Sequence, residues 1–184
     1  MDVNISKADV SAGKEKMFGF LRSEPWTFYS KPILSEECLN ELLEKGYFES
    51  DNARTFFIET MNAEIAGMMR LFDLKDIGRG SPMFDIRISS VYRGKGIGSK
   101  AMKWITDYVF NTWEVQNRFE GTTRFDNFAM RKLFVKSGFV LEGYYRQAWQ
   151  GSDGINHDSL QYSILRSDWI SGIPTVINWD KVNA

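Results

Sequence analysis

The stretch VYRGKGIGSKAM, residues 91–102, limits what this chain can fold into more than any other feature. The alternating segment before it, at 82–89, predicts a strand, and the apolar spacing after it predicts a helix from Gly98 to about Asn111. Glycine is among the least favourable residues in a helix, yet three glycines lie within five positions where this helix begins. The stretch is therefore a strand-to-helix turn whose glycines need a reason other than helix formation.

The chemistry of such a turn favours an anion. The start of a helix carries N–H groups without helical partners and about half a positive charge. Successive glycines let those N–H groups converge on one point and leave no side chain in the way of a ligand. Arg93, Lys95 and Lys100 add positive charge. The turn therefore predicts a phosphate or pyrophosphate site, with an ordinary glycine-rich turn beside a solvated basic face as the alternative.

Composition narrows the possible functions. A length of 184 residues fits one domain over 1–184, with an irregular tail at 172–184. The formal net charge of −1 argues against a nucleic-acid or anionic-membrane partner. The single cysteine, Cys38, and the single histidine, His157, cannot make an internal disulfide or a metal cluster, so we expect no metal. An N-terminus without an apolar signal region predicts a cytoplasmic protein.

Periodicity and turn residues divide the chain into helices and strands. Helical spacing with capping residues predicts four helices, and alternating or β-rich runs predict seven strands. Their order predicts an α/β (α+β) fold, with a single mixed, mostly antiparallel sheet of about six to seven strands and helices on both faces. The predicted helices are 11–22, 35–45, 98–111 and 127–138, and the predicted strands are 3–5, 54–60, 64–73, 82–89, 118–125, 139–149 and 157–166.

Two motifs carry a resemblance to a known family. The Arg-x-x-Gly-x-Gly pattern at 93–98 resembles the pyrophosphate loop of the GNAT superfamily of acetyl-CoA-dependent N-acetyltransferases. The segment TTRFDNFAMRKLFVKSGFVLEGYYR, 122–146, is similar to the family's next segment, with an Asn after a strand, a short helix, Gly-Phe and then Glu-Gly. DSLQYSILRSDW, 158–169, is similar to the closing strand of the branch that includes ribosomal-protein N-terminal acetyltransferases.

The resemblance implies the GNAT fold, acetyl-CoA as acetyl donor and no metal. Backbone groups of the strand before the turn would pair with the pantetheine arm like an added strand. The N–H groups of the turn would hold the pyrophosphate, and Asn127 would meet the arm from the other side. The residues expected to bind acetyl-CoA are Ile88, Ser89, Val91, Arg93, Gly94, Lys95, Gly96, Ile97, Gly98, Ser99, Asn127 and Phe134.

The resemblance also implies direct attack of a primary amine on acetyl-CoA in a ternary complex. Many relatives have a tyrosine, a proposed acid for the leaving thiolate, where this chain has Phe134, which cannot donate a proton. Asp85 is the candidate catalytic base, and a structural ion pair with Arg87 is the alternative. Asp126 and Asp158 are weaker candidates, since Asp126 is also placed to cap a helix.

The acceptor site is expected opposite the cofactor, between the aromatic loop EPWTFY and the segment EGYYRQAW. Trp26, Tyr144, Tyr145 and Trp149 could form an aromatic cage for an amine, whereas core packing is the alternative for each. Arg87 and Arg146 could instead hold a substrate carboxylate. The acceptor is expected to be a small-molecule or peptide amine, and the protein a monomer or homodimer.

Two other functions remain open at this stage. The chain could be a catalytically silent acyl-CoA-binding sensor or scaffold, because the tyrosine acid is missing. It could also bind nucleic acid through Arg93, Lys95, Lys100 and Lys103, although the net charge argues against this.

Overall fold

The computed structural model describes residues 1–181, so positions 182–184 of the predicted tail lie outside the described residues. This part of the chain forms seven strands and five α-helices. The strands are β1 (Val3–Lys7), β2 (Ala53–Thr60), β3 (Ile65–Phe72), β4 (Met83–Ile88), β5 (Arg118–Arg124), β6 (Val140–Gln150) and β7 (Asn156–Leu165). The helices are α1 (Lys14–Arg22), α2 (Glu36–Glu44), α3 (Ile97–Thr112), α4 (Phe128–Lys136) and α5 (Arg166–Ser171).

All seven strands lie in one sheet, in the order β1-β2-β3-β4-β5-β7-β6. Every neighbouring pair is antiparallel except β4 and β5, which run parallel. The predicted single mixed, mostly antiparallel sheet is therefore confirmed. The sequence did not predict α5, a helix of six residues that is too short to show a clear period.

Alternation along the strands sends apolar side chains to both faces of the sheet. On one face, Phe56 of β2 packs against Trp104 of α3 with ring centroids 5.1 Å apart. On the other face, the next residue, Phe57, belongs to a separate buried cluster with Met17 of α1 and Leu39 of α2. Helices therefore cover both faces, as predicted, and a cavity in the sheet can be approached from either.

The parallel pair β4–β5 separates almost as soon as it forms. Only Met83 and Glu120 are in register between these strands, whereas β4 pairs with β3 along its whole length. Buried aromatic rings lie beside β5 at this point: a Cβ at Gly121 would meet the Phe134 ring at 2.7 Å and the Phe84 ring at 2.8 Å. The carboxyl ends of β4 and β5 therefore splay apart above a floor of packed aromatic rings.

The end of the chain is less regular. After Gly172 the backbone has no helix or strand until a single 3₁₀ turn at Trp179–Lys181. Among residues 1–181, none of the helices combines the length and the hydropathy that crossing a bilayer requires.

Candidate active site

A cavity of about 660 Å³ fills the splay between β4 and β5. It extends from the glycine-rich turn to the aromatic loop that precedes α2, so its walls come from widely separated parts of the sequence. The lining residues are Trp26, Thr27, Phe28, Tyr29, Tyr47, Phe72, Phe84, Asp85, Ile86, Arg87, Ile88, Tyr92, Arg93, Gly94, Gly96, Ile97, Gly98, Ser99, Thr122, Thr123, Asn127, Ala129, Met130, Leu133, Phe134, Lys136 and Trp149.

The three glycines of the turn have different structural reasons. Gly94 and Gly96 have φ values of 74° and 81°, a left-handed conformation that strains residues with a Cβ. A Cβ at either of them would meet nothing within 4 Å, so the space above the turn is open. A Cβ at Gly98 would lie 3.3 Å from Leu133 Cδ2, so this glycine allows α3 and α4 to approach closely.

The turn presents the start of α3 to the cavity. Gly96 is the N-cap and has no side chain to satisfy the first N–H groups of this 16-residue helix. Residues 96–99 all line the cavity. Unpaired N–H groups and the positive end of a helix dipole are together an anion-binding arrangement.

The backbone of β4 offers its free edge to the same cavity. The Ser89 N–H donates to the Ala66 carbonyl at 3.0 Å, and the Ser89 carbonyl accepts from the Tyr92 N–H at 2.8 Å. Because ladder bonds alternate along an antiparallel strand, Ile86 and Ile88 direct their backbone groups toward the splay instead. Both backbone groups of Ser89 thus have partners within the protein, and its contact with the cofactor stays a prediction.

The basic residues of the turn are unequally placed. Arg93 lines the cavity, donates from Nε to the Ile88 carbonyl at 2.9 Å and pairs with Glu24 at 3.2 Å. Lys95 lies outside the lining, with its Nζ 5.3 Å from the centre of the Tyr92 ring, and the Val91 side chain is 66% exposed. Of this group, only Arg93 contributes a side chain to the cavity wall.

On the opposite wall, Asn127 and Phe134 have structural contacts of their own. The Asn127 Oδ1 caps α4 by accepting from the Met130 N–H at 3.2 Å. Phe134 is fully buried and stacks on Tyr162, with ring centroids 4.6 Å apart. Phe134 therefore forms part of the apolar floor and has no proton to donate. Lys136, about one helical turn after Leu133 on α4, also lines this wall. The sequence analysis did not identify it.

Asp85 lies in a buried ion cluster. Its Oδ2 accepts from Arg70 Nε at 3.0 Å, and its Oδ1 accepts from Arg87 Nη1 at 3.2 Å. The Tyr47 hydroxyl donates to the same Oδ2 at 3.4 Å. Two guanidinium groups stabilise the carboxylate and occupy its lone pairs, which favours the structural ion pair over a catalytic base.

Two tyrosines that the sequence did not single out lie beside this cluster. The Tyr29 hydroxyl donates to the Ile86 carbonyl at 3.1 Å, and the Tyr29 ring lies 3.8 Å from Arg87 Cζ. Burial raises the pKa of Tyr29 well above its ordinary value, and burial with the Asp85 charge raises the pKa of Tyr47. Both hydroxyls therefore stay protonated at neutral pH and act as hydrogen-bond donors.

The predicted acceptor residues are only partly brought together. Trp26 is 3% exposed and lines the cavity with Arg87, while its Nε1 donates to the Leu21 carbonyl at 2.8 Å. Tyr144 and Arg146 are exposed and lie outside the lining, so the structure does not bring them together with Trp26 and Arg87. The pairing of β6 with β7 is irregular between Tyr145 and Trp149, and Trp149, on the far side of this irregularity, lines the cavity.

The weaker candidate bases also lie outside the lining. Asp126 forms a paired interaction with Arg124, at 2.9 and 2.6 Å, and that guanidinium lowers the pKa of Asp126. Asp158 accepts from the Tyr144 hydroxyl and from the Gln147 N–H. Both carboxylates therefore organise the ends of β5 and β6 rather than face the cavity.

Comparison with known proteins agrees with this geometry. The model of the acetyltransferase (GNAT) family matches residues 18–139, which is more than half of the 184-residue chain. The chain belongs to this acetyltransferase family. The match spans the glycine-rich turn, both splayed strands and α4, which are the elements that surround the cavity.

Individual relatives are more distant. YdaF of Bacillus subtilis (strain 168), a candidate ribosomal N-acetyltransferase, is 28% identical over 108 residues, 59% of this chain and 57% of its own length. Spermidine N(1)-acetyltransferase of Escherichia coli (strain K12) is 26% identical over 116 residues, 63% of this chain and 60% of its own length. The chain thus matches about three fifths of the length of these curated relatives.

Solved structures share the fold over almost the whole chain. Spermidine N-acetyltransferase from Vibrio cholerae, in complex with CoA and spermine, superposes with a TM-score of 0.75 at 22% identity. The match covers 91% of this chain and 98% of that one. The family's fold is therefore confirmed for this chain, including the splayed parallel pair. Within the described 181 residues, no three or more metal-binding side chains are grouped together.

Proposed function

We propose that this protein transfers the acetyl group of acetyl-CoA to a primary amine by direct attack in a ternary complex. One observation carries the proposal: the uncapped first turn of α3 opens into a cavity of about 660 Å³ that fills the splay between β4 and β5. Membership of the acetyltransferase (GNAT) family supports the same donor and the same kind of reaction.

The cavity fits the parts of acetyl-CoA in order. The N–H groups at 96–99 and the Arg93 guanidinium suit a pyrophosphate, since both are donors around open space. The backbone N–H groups of Ile86 and Ile88, on the edge of β4 that faces the splay, suit the amide carbonyls of an extended pantetheine arm. The carbonyls of the same two residues already accept from Tyr29 and Arg93. Leu133 and Phe134 on the opposite wall suit its apolar methylenes. The roles of individual side chains are part of the proposal.

In the proposed reaction, the amine nitrogen bonds to the thioester carbon and the carbon–sulfur bond breaks. A backbone N–H near Ile88 stabilises the developing oxyanion. CoA leaves as a thiolate, and a thiolate is a tolerable leaving group without a side-chain acid at Phe134. The amine proton passes to solvent, and the thiolate takes up a proton from solvent.

Asp85 is proposed to position Arg70 and Arg87 rather than to take the amine proton. Its two oxygens already accept hydrogen bonds from both arginines and from the Tyr47 hydroxyl. Holding the two substrates together supplies several kcal/mol of the barrier reduction, up to about 10 in well-oriented systems, without a strong base.

Ion pairs at the glycine turn make a nucleic-acid partner less suitable. Arg93 pairs with Glu24, Lys100 with Asp2 and Lys103 with Asp107. Carboxylates thus offset three of the four basic side chains that would have formed the footprint. We propose a small-molecule or peptide amine as the acceptor, no nucleic-acid or membrane partner, and a monomer or homodimer. A cytoplasmic location is proposed because Cys38 is a free thiol.

The first test is calorimetric titration of acetyl-CoA and free CoA into the purified protein. We expect micromolar dissociation constants for both, followed by release of CoA thiol when a suitable primary amine is added. Failure of the folded protein to bind either compound would contradict the proposal. Tight binding with no thiol release across a broad amine panel would instead favour the acyl-CoA sensor, which the comparisons with known proteins do not support.

A further inference from the structure

A second cavity, of about 210 Å³, adjoins the first. The two share Tyr29, Tyr47 and Arg87 in their walls, so Arg87 lies at the boundary between them. The smaller cavity is on the side of the sheet covered by α1 and α2. Its other lining residues are Leu21, Ser30, Lys31, Leu34, Leu42 and Phe48. It therefore provides a mostly apolar pocket on the acceptor side, with cationic groups at Lys31 and Arg87.

The ion cluster at this boundary carries an uncompensated positive charge. Asp85 balances only one of its two arginine partners, and the three side chains are between 5% and 15% exposed. Asp85 is the one acidic residue among the residues that line either cavity. A buried net charge is costly unless a counter-ion approaches it. The boundary therefore favours an anionic group on the ligand.

Unpaired donors point the same way. Within residues 1–181, the buried nitrogen atoms without a hydrogen-bond partner are Arg87 Nε and Trp149 Nε1. Both residues line the larger cavity, and both atoms carry N–H groups that need an acceptor. A protonated polyamine brings only more donors, so it cannot satisfy these groups.

The guanidinium of Arg87 has donors that Asp85 does not use. Its Nη1 donates to Asp85, and its Nε has no hydrogen-bond partner within residues 1–181. A guanidinium binds a planar carboxylate through two parallel hydrogen bonds. Arg87 lies between Ile86 and Ile88, whose backbone faces the proposed thioester, so the carboxylate would lie a few bonds from the reacting amine.

We propose that the acceptor is an amine with a nearby carboxylate, as in an α-amino acid, and that Arg87 binds this carboxylate. The inference rests on the proposed acetyl transfer and names its substrate class. The amine nitrogen gains the acetyl carbon and loses a proton, CoA gains a proton, and the carboxylate is unchanged. This class differs from the polyamines named for several structural neighbours.

The test compares matched acceptors on the wild-type protein. Acetyl-CoA is incubated with a pool of free α-amino acids, with the same pool as α-amides, or with spermidine, and CoA thiol release is measured. We expect release from the acid pool at least about 100-fold faster than from the other two, since losing one partner of a buried charge contact costs several kcal/mol. The amide lowers the pKa of the neighbouring amine, so amine reactivity favours the amide pool and works against the expected result.

Variants then assign the preference to Arg87. Arg87→Gln should bring the acid-to-amide ratio close to one while CoA binding by calorimetry stays within about threefold, whereas the matched surface variant Arg146→Gln should keep the wild-type ratio. If Arg87→Gln does not fold, the wild-type ratio decides alone. An acid-to-amide ratio near one in the wild type, or no release from the acid pool, overturns the inference. The proposed function fails separately, when acetyl-CoA does not bind or no amine of any class reacts.

Discussion

The two sides of β4 are built in different ways. On the cofactor side, the turn and the start of α3 are one contiguous stretch, and the groups that face the cavity are mainly backbone N–H groups. On the acceptor side, Tyr29, Tyr47, Arg70 and Arg87 come from four separate segments and act through their side chains. The family's common donor is thus matched to backbone geometry, whereas the acceptor is matched to side chains that each chain can change independently.

The largest expected effect is on the cofactor side. Gly96→Asp places a carboxylate at the proposed pyrophosphate position, and like charges in contact cost several kcal/mol. We expect acetyl-CoA affinity to fall about 1000-fold, equivalent to about 4 kcal/mol, by calorimetry. Gly154→Asp is the matched control, because Gly154 also has a positive φ, 78°, and open space around its Cβ position but lies in the β6–β7 turn. Equal loss of binding in both variants would show that backbone strain, and not the anion site, is responsible.

The next effect tests whether the acceptor side depends on its ion cluster. Asp85→Asn leaves two buried guanidinium groups without their counter-charge, which should lower the free energy of unfolding by about 3 kcal/mol in a denaturant titration. On a working acceptor, kcat should fall less than about tenfold if Asp85 only positions the arginines. A loss of about 100-fold or more in kcat, in protein shown to be folded, would restore Asp85 as the base. Glu41→Gln, which breaks an exposed pair with Lys45, should change stability by less than about 0.5 kcal/mol.

A smaller effect separates capping from cofactor binding at Asn127. Asn127→Ala removes the side-chain acceptor for the Met130 N–H and should lower the free energy of unfolding by about 1 kcal/mol. Asn127→Asp keeps a good N-cap and should keep most of the stability, measured by the same titration. A drop in acetyl-CoA affinity in both variants would mean that the Asn127 side chain also contacts the cofactor. Unchanged affinity in both would mean that Asn127 only caps α4.

The smallest effects should be at two residues of β6 that lie outside the cavity lining. Tyr144→Phe and Arg146→Gln should change kcat/KM for any acceptor by less than about twofold, or about 0.4 kcal/mol. A rise in acceptor KM above fivefold in either variant would mean that this part of β6 reaches the acceptor in solution. The acceptor side would then include this part of β6.

Prediction from sequence succeeded where the signal was local. The glycine spacing and the N-terminus of α3 depend on residues that are close in the chain, so their geometry follows from backbone preferences. The same holds for the alternating strands, whose order already limits the sheet to a mixed type. The cap of α4 was expected at Asp126 and is the next residue, Asn127. The Ser89 N–H donates to Ala66 of the neighbouring strand, a partner that no local pattern indicates.

Prediction was poorer on the acceptor side. Tyr29 is 57 residues from Ile86, the residue whose carbonyl it contacts, and Tyr47 is 38 residues from Asp85. No pattern in the intervening sequence indicates that these residues are close in space. The positive φ of 53° at Gln147, in the irregular part of β6, is likewise not evident from the sequence, because glutamine is not a typical residue for this conformation.

The sequence by itself determined the family, the mixed sheet and the glycine-rich turn before α3, because each depends on short-range spacing and on which backbone conformations glycine permits. Only the tertiary structure decided which side chains meet across the splay. It brought Asp85 between Arg70 and Arg87 and left two buried N–H groups, of Arg87 and Trp149, without acceptors. Such contacts depend on how distant elements pack against both faces of the sheet, and packing of that kind has no period in the sequence.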